Sequence, residues 1–167
     1  TNPSDGDEVY YQVYVNGQLS GNTGYWHLRY NASTGYWDFL GGPALSSTDS
    51  TVHSTASTSY LSSNAYDYLP LNGDYDVSYG SELAIDAANA LNQMQVGLTQ
   101  TGTTVHTCYF VAVSQFNGSS LNCSTRVTGV TGAGGTNRFV QDLYMSLSGQ
   151  SSNFYPLYVN VTPIRVK

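Results

Sequence analysis

Polar and apolar residues alternate along most of this chain. Residues 9 to 15 set Val9, Tyr11, Val13 and Val15 against Tyr10, Gln12 and Tyr14, the period-2 signature of a half-buried strand. Asn16-Gly17, a pair suited to positive φ, ends it. Tyr25-Trp26-His27-Leu28-Arg29-Tyr30 and Tyr36-Trp37-Asp38-Phe39-Leu40 flank a five-residue polar turn, so residues 1–45 read as a small three-stranded β unit. Gly41-Gly42-Pro43 breaks the pattern. The Ser/Thr-rich run 46–59 has little apolar periodicity and reads as a loop or linker. Residues 60–167 carry about eight further strands with Gly-rich turns between them, including Tyr75 to Tyr79, Met94 to Leu98, Val105 to Val113, Leu121 to Val130, Phe139 to Leu147 and Leu157 to Val161. The expected fold is all-β: the N-terminal unit followed by an antiparallel jelly roll or sandwich.

Two local readings carry structural consequences. Ala84, Ala87, Ala88 and Ala90 make residues 82–91 the one plausible helix, although the polar context suits an irregular strand connection equally. Asn117-Gly118 is the strongest short hairpin signal. A hairpin centred there sets Cys123 opposite Ala112, four residues from Cys108, or roughly 13 Å at strand rise. A disulfide tolerates a Cα separation of about 7 Å, so the two cysteines are expected to be unbridged.

Composition narrows the function classes. Of 167 residues only 10% are charged, while Tyr numbers 15 and Gly 17. Five basic residues against eleven acidic ones leave a charge of −6 without any basic cluster, which argues against nucleic acid and against an anionic membrane surface. No uninterrupted apolar stretch approaches the roughly 20 residues of a spanning helix. His27, His53 and His106 lack the short spacings of metal motifs, and no Ser sits in a nucleophile elbow. Neither an enzyme nor a cofactor or metal is therefore expected. Aromatic side chains stack on sugar rings, so Trp26, Tyr30, Tyr36 and Trp37 are candidate ligand-facing residues; the competing reading makes Trp26 and Trp37 a small core. The strands holding Tyr75, Tyr79, Phe139 and Tyr144 offer aromatics on both faces, which nominates these four for a subunit interface.

Trp26-His27-Leu28-Arg29-Tyr30, Trp37-Asp38-Phe39-Leu40-Gly41-Gly42-Pro43-Ala44-Leu45, Gly73-Asp74-Tyr75-Asp76-Val77 and Thr162-Pro163-Ile164-Arg165-Val166 together resemble a family of tailed-bacteriophage minor structural proteins, over nearly the whole chain. That family often reads W-x-L-R-Y, then W-x-F-x-G-G-P-x-L, with a terminal T-P-I-R-V. The resemblance implies a jelly roll of the tumour-necrosis-factor-like kind, a homotrimer, a place in the virion and other capsid or tail proteins as partners. Capsid decoration is the leading expectation. A tail-associated receptor-binding protein that recognises a host-surface glycan and a bacterial pilus or adhesin domain are the alternatives.

Overall fold

A computed structural model of the protein describes residues 2–16, 19–84, 93–111, 117–134, 139–146 and 152–167. Twelve strands run through these residues: β1 (Glu8–Tyr14), β2 (Thr23–Asn31), β3 (Tyr36–Gly41), β4 (Leu45–Asp49), β5 (His53–Thr55), β6 (Leu61–Tyr68), β7 (Gly73–Ala84), β8 (Gln93–Gln100), β9 (Thr103–Val111), β10 (Asn117–Val130), β11 (Phe139–Ser146) and β12 (Ser152–Val166). All pairings are antiparallel, and no helix occurs among the described residues.

The strands form an all-β sandwich of two sheets. The larger runs β1-β2-β3-β12-β7-β10, and the smaller runs β6-β11-β8-β9. The 15-residue β12 organises the larger sheet. Along one edge it pairs in turn with β5, β4 and β3, and along the other with β7 over nearly its full length. Alternation dictates what lies between the sheets: Tyr75, Val77 and Tyr79 of β7 and Leu157, Val159 and Val161 of β12 face Ala65, Val96, Leu98, Val140 and Tyr144 of the smaller sheet, all buried.

Two expectations are corrected, and a third falls largely outside the described residues. The Ser/Thr-rich run 46–59 is not simply a loop, since Leu45–Asp49 and His53–Thr55 are strands paired to β12. The residues of β4 alternate in burial, with Leu45, Ser47 and Asp49 inside and Ser46 and Thr48 outside, so periodicity is present but carried mostly by polar side chains. Glu82, Leu83 and Ala84 of the expected helix belong to β7, and residues 85–91 lie outside the described residues.

The second correction concerns the Asn117-Gly118 hairpin. These two residues begin β10, which pairs with β7, whereas β9 pairs with β8 in the other sheet. Cys123 lies beside Tyr79 in one sheet and Cys108 beside Val96 in the other. The chain crosses the sandwich between them, bringing their Cα atoms to 6.5 Å, and they form a disulfide. The expected separation failed because it assumed the two strands were neighbours in one plane.

Candidate functional site

The outer side of β1, β2 and β3 presents the exposed rings of Tyr10, Tyr14 and Tyr25 together. Its composition follows from register. Glu8 pairs with Arg29, Tyr10 with His27 and Gln12 with Tyr25, so these six side chains share one face. Across the next pairing, Arg29 lies beside Asp38 and Asn31 beside Tyr36, which extends that face onto β3. Tyr10 is 69% exposed and Tyr25 55%, far beyond what core-forming aromatics show.

Local contacts fix these groups. The rings of Tyr10 and His27 stack nearly parallel, with centroids 4.6 Å apart and planes 8° from each other. His27 Nε2 and Glu8 Oε2 are 2.8 Å apart, which holds the imidazole beneath Tyr10. At the far side, the Arg165 guanidinium lies 4.9 Å from the Tyr36 ring centroid and the Lys167 ammonium 5.7 Å from it. Beside the aromatic face opens a cleft of about 480 Å³ lined by Asp5, Arg29, Asn31, Ser33 and Asp38. Asn31 Nδ2 donates to Asp38 Oδ2 at 3.0 Å there, and Asp5 Oδ1 accepts the Ala32 N–H at 2.9 Å. Flat rings bordered by paired carboxylate, guanidinium and amide groups can stack on and hydrogen-bond a polyhydroxylated ligand.

The nominated aromatics divide between the two sides of this unit. Tyr36 lies on the outer face. Trp26 is fully buried and donates Nε1–H to the Pro43 carbonyl at 2.8 Å. Trp37 packs against the core and meets the Tyr30 ring at 5.2 Å on the inner side. Trp26 and Trp37 thus serve as core, and Tyr10 and Tyr25, not nominated from sequence, hold the exposed positions. Alternation in residues 9 to 15 already separated Tyr10 from Val9 and Tyr11; what it lacked was the partner strand that placed His27 and Tyr25 beside it.

The residues nominated for a subunit interface are also redistributed. Tyr75, Tyr79 and Tyr144 are buried within the monomer, because their side chains point into the core between the two sheets; Phe139 lies in β11, and its side chain is outside the described residues. Their hydroxyls are partnered internally. Tyr75 donates to the Leu71 carbonyl, Tyr79 OH is 2.7 Å from His106 Nδ1, and Tyr144 OH is 3.0 Å from His53 Nδ1.

The other histidines and carboxylates serve the framework. His53 Nε2 lies 2.6 Å from Asp49 Oδ2, so Asp49, His53 and Tyr144 link the two sheets. Burial pushes the Asp49 carboxyl up, but the N–H groups of Asn64 and Thr51 and the His53 ring outweigh it and hold it below the usual range. Asp74 behaves likewise: burial raises it, and the Gly129 N–H and Arg165 more than compensate. Asp67 differs, because its two oxygens are buried with no hydrogen-bond partner, and burial pushes it up to about 8. No group of three His, Cys, Asp or Glu suited to a metal occurs among the described residues. Compared with known protein families and with curated proteins, the sequence finds no match in either.

Proposed function

We propose that this chain is a structural protein of a tailed-bacteriophage particle, a capsid-decorating or surface-display module that acts by assembly and carries out no reaction. The observation that carries this reading is the convergence of the four motif segments on one packed unit. Trp26 of the first bonds to Pro43 of the second. Arg165 of the last donates Nε–H to Asp74 of the third at 2.6 Å while resting on Tyr36, the neighbour of Trp37. Gly42, at φ +134°, has no room for a Cβ, which would lie 2.5 Å from the Tyr25 carbonyl oxygen. The segments that carry the resemblance thus meet in one packed unit, as parts of a shared framework would, and this is what supports the phage assignment.

The strand order supports the tumour-necrosis-factor-like jelly roll in the same way. Its two four-stranded rows would be β4-β12-β7-β10 and β6-β11-β8-β9, with the chain passing repeatedly between sheets as a double Greek key requires. A decoration protein would bind the assembled shell and not its free subunits, so it stabilises the particle by linkage. Mass spectrometry and immunogold labelling of purified particles test the assignment directly. The protein should be found on the particle surface, and adding it back to particles stripped of it should raise their rupture temperature; its absence from the particle would overturn the assignment.

A second reading, recognition of a host-surface glycan, is favoured by the exposed Tyr10 and Tyr25 beside the polar cleft. A glycan array probed with the wild-type chain and with Tyr10→Ala tests it, since binding through this face should be lost in the variant. Self-association is also part of the proposal, and with Tyr75, Tyr79 and Tyr144 inside the monomer its contact needs another surface.

A further inference from the structure

We infer that two copies of this chain associate through antiparallel pairing of their β1 strands, about a twofold axis at Tyr11. The inference rests on the edge of the larger sheet and stands apart from the assignment to a phage particle. It replaces the threefold contact that the resemblance implies.

Strand β1 terminates the larger sheet, and among the described residues no strand besides β2 pairs with it. Sheet edges carry unpaired N–H and C=O groups, and proteins usually guard them with Lys, Pro, bulges or covering segments. Two of the other edges here are guarded. On β6 the Asn64 N–H goes to Asp49 Oδ2 and the Tyr66 N–H to Ser47 Oγ, and β10 carries the Arg126–Asp76 pair and two register shifts. By contrast, Glu8-Val9-Tyr10-Tyr11-Gln12-Val13-Tyr14 has no Lys, no Pro and no bulge, and all but Val13 are exposed.

The hydrogen-bond phase selects the register. The Tyr30 N–H donates to the Asp7 carbonyl and the Val15 N–H to the Asn22 carbonyl, so odd-numbered positions of this segment bond toward β2. In an antiparallel ladder alternate residues point their backbone groups to opposite sides. Glu8, Tyr10, Gln12 and Tyr14 therefore aim theirs at the open edge. A twofold pairing centred on Tyr11 sets Tyr10 opposite Gln12 of the second copy and Glu8 opposite Tyr14, so every edge-facing position meets another edge-facing position. Side chains agree with that register. Val9 meets Val13, Tyr11 meets its own counterpart, and the lone charge, Glu8, meets a tyrosine instead of a like charge.

The available area also suits a second copy. Tyr10, Tyr11 and Tyr14 are 69%, 37% and 43% exposed. At about 200 Å² per ring, they leave roughly 300 Å² per copy to cover. Val9, Gln12 and the backbone edge add to this, so two copies reach the order of 1,000 Å² at which specific interfaces begin.

The test is light scattering of the wild-type chain at tens of micromolar, together with oxidative cross-linking. Cys108 and Cys123 are joined to each other, so no other thiol competes. In the proposed register Tyr11→Cys places two sulfurs on a non-hydrogen-bonded pair, with Cα atoms about 4.5 Å apart. Tyr10→Cys leaves its counterparts roughly 8–9 Å apart, too far to bridge. Gln12→Pro removes an edge-facing N–H without breaking the ladder to β2. The expected result is twice the subunit mass, a disulfide dimer from Tyr11→Cys but not from Tyr10→Cys, and at least a roughly tenfold weaker dimer for Gln12→Pro with unchanged circular dichroism. A wild-type monomer, a threefold mass, or equal cross-linking of the two cysteine variants would overturn the inference.

Discussion

Asp67 shows how one residue can work against the fold that holds it. It lies on the inward side of β6 opposite Val140, and its folded pKa of about 8 stands far above the ordinary 3.8. Between those values the folded state keeps a proton that the unfolded state releases. Stability from this group is therefore full below about pH 4, falls as pH rises at about 1.4 kcal/mol per unit, and levels off above about pH 8. Asp67→Asn should abolish that slope and stabilise the protein at pH 8, as read by urea titration at several pH values; an unchanged slope would assign it to another group. The opposite sign belongs to the disulfide. Cys108 and Cys123 close a 15-residue separation, so converting both to Ser should cost about 3 kcal/mol by the same titration.

At the scale of elements, β1, β2 and β3 carry opposite roles on their two sides. Trp26 on the inner side is fully buried, so Trp26→Ala should cost about 3–5 kcal/mol. Tyr10→Ala on the outer side should change stability by no more than about 0.5 kcal/mol, because the ring is mostly in water. Comparable losses for the two variants in chemical denaturation would contradict the assignment of faces. The junction of this unit with the sandwich rests on Gly73 as well, at φ +155°, where a Cβ would collide with the Arg165 carbonyl oxygen. Gly73→Ala should therefore loosen the β7–β12 ladder and lower the melting temperature.

For the whole molecule the carboxylates set a pH optimum. Asp49 and Asp74 are held below their ordinary values, so their contribution is present above about pH 4 and is lost as pH falls through their folded values. Asp67 takes stability away as pH rises from about 4 to about 8. The two trends cross, and the melting temperature should peak near pH 4–5, an acid optimum that calorimetry across pH 3–9 would detect. A maximum at pH 8 would contradict it.

Hydrophobic alternation alone determined the fold class and most strand positions, because a strand's two faces differ in burial wherever it is built. It also separated Tyr10 from Tyr11 and marked Trp26 and Leu28 as strand residues. Sequence could not tell which strands lie side by side, since pairing is decided by contacts far apart along the chain. That ignorance accounts for the misplaced hairpin: Asn-Gly favours a local turn, but here the chain leaves one sheet for the other, and the Cys108–Cys123 bond exists only because the sheets face each other. The same cause put Tyr75, Tyr79 and Tyr144 on a supposed surface. An aromatic on a strand is interior or exposed according to what packs over it, and only the second sheet decided that.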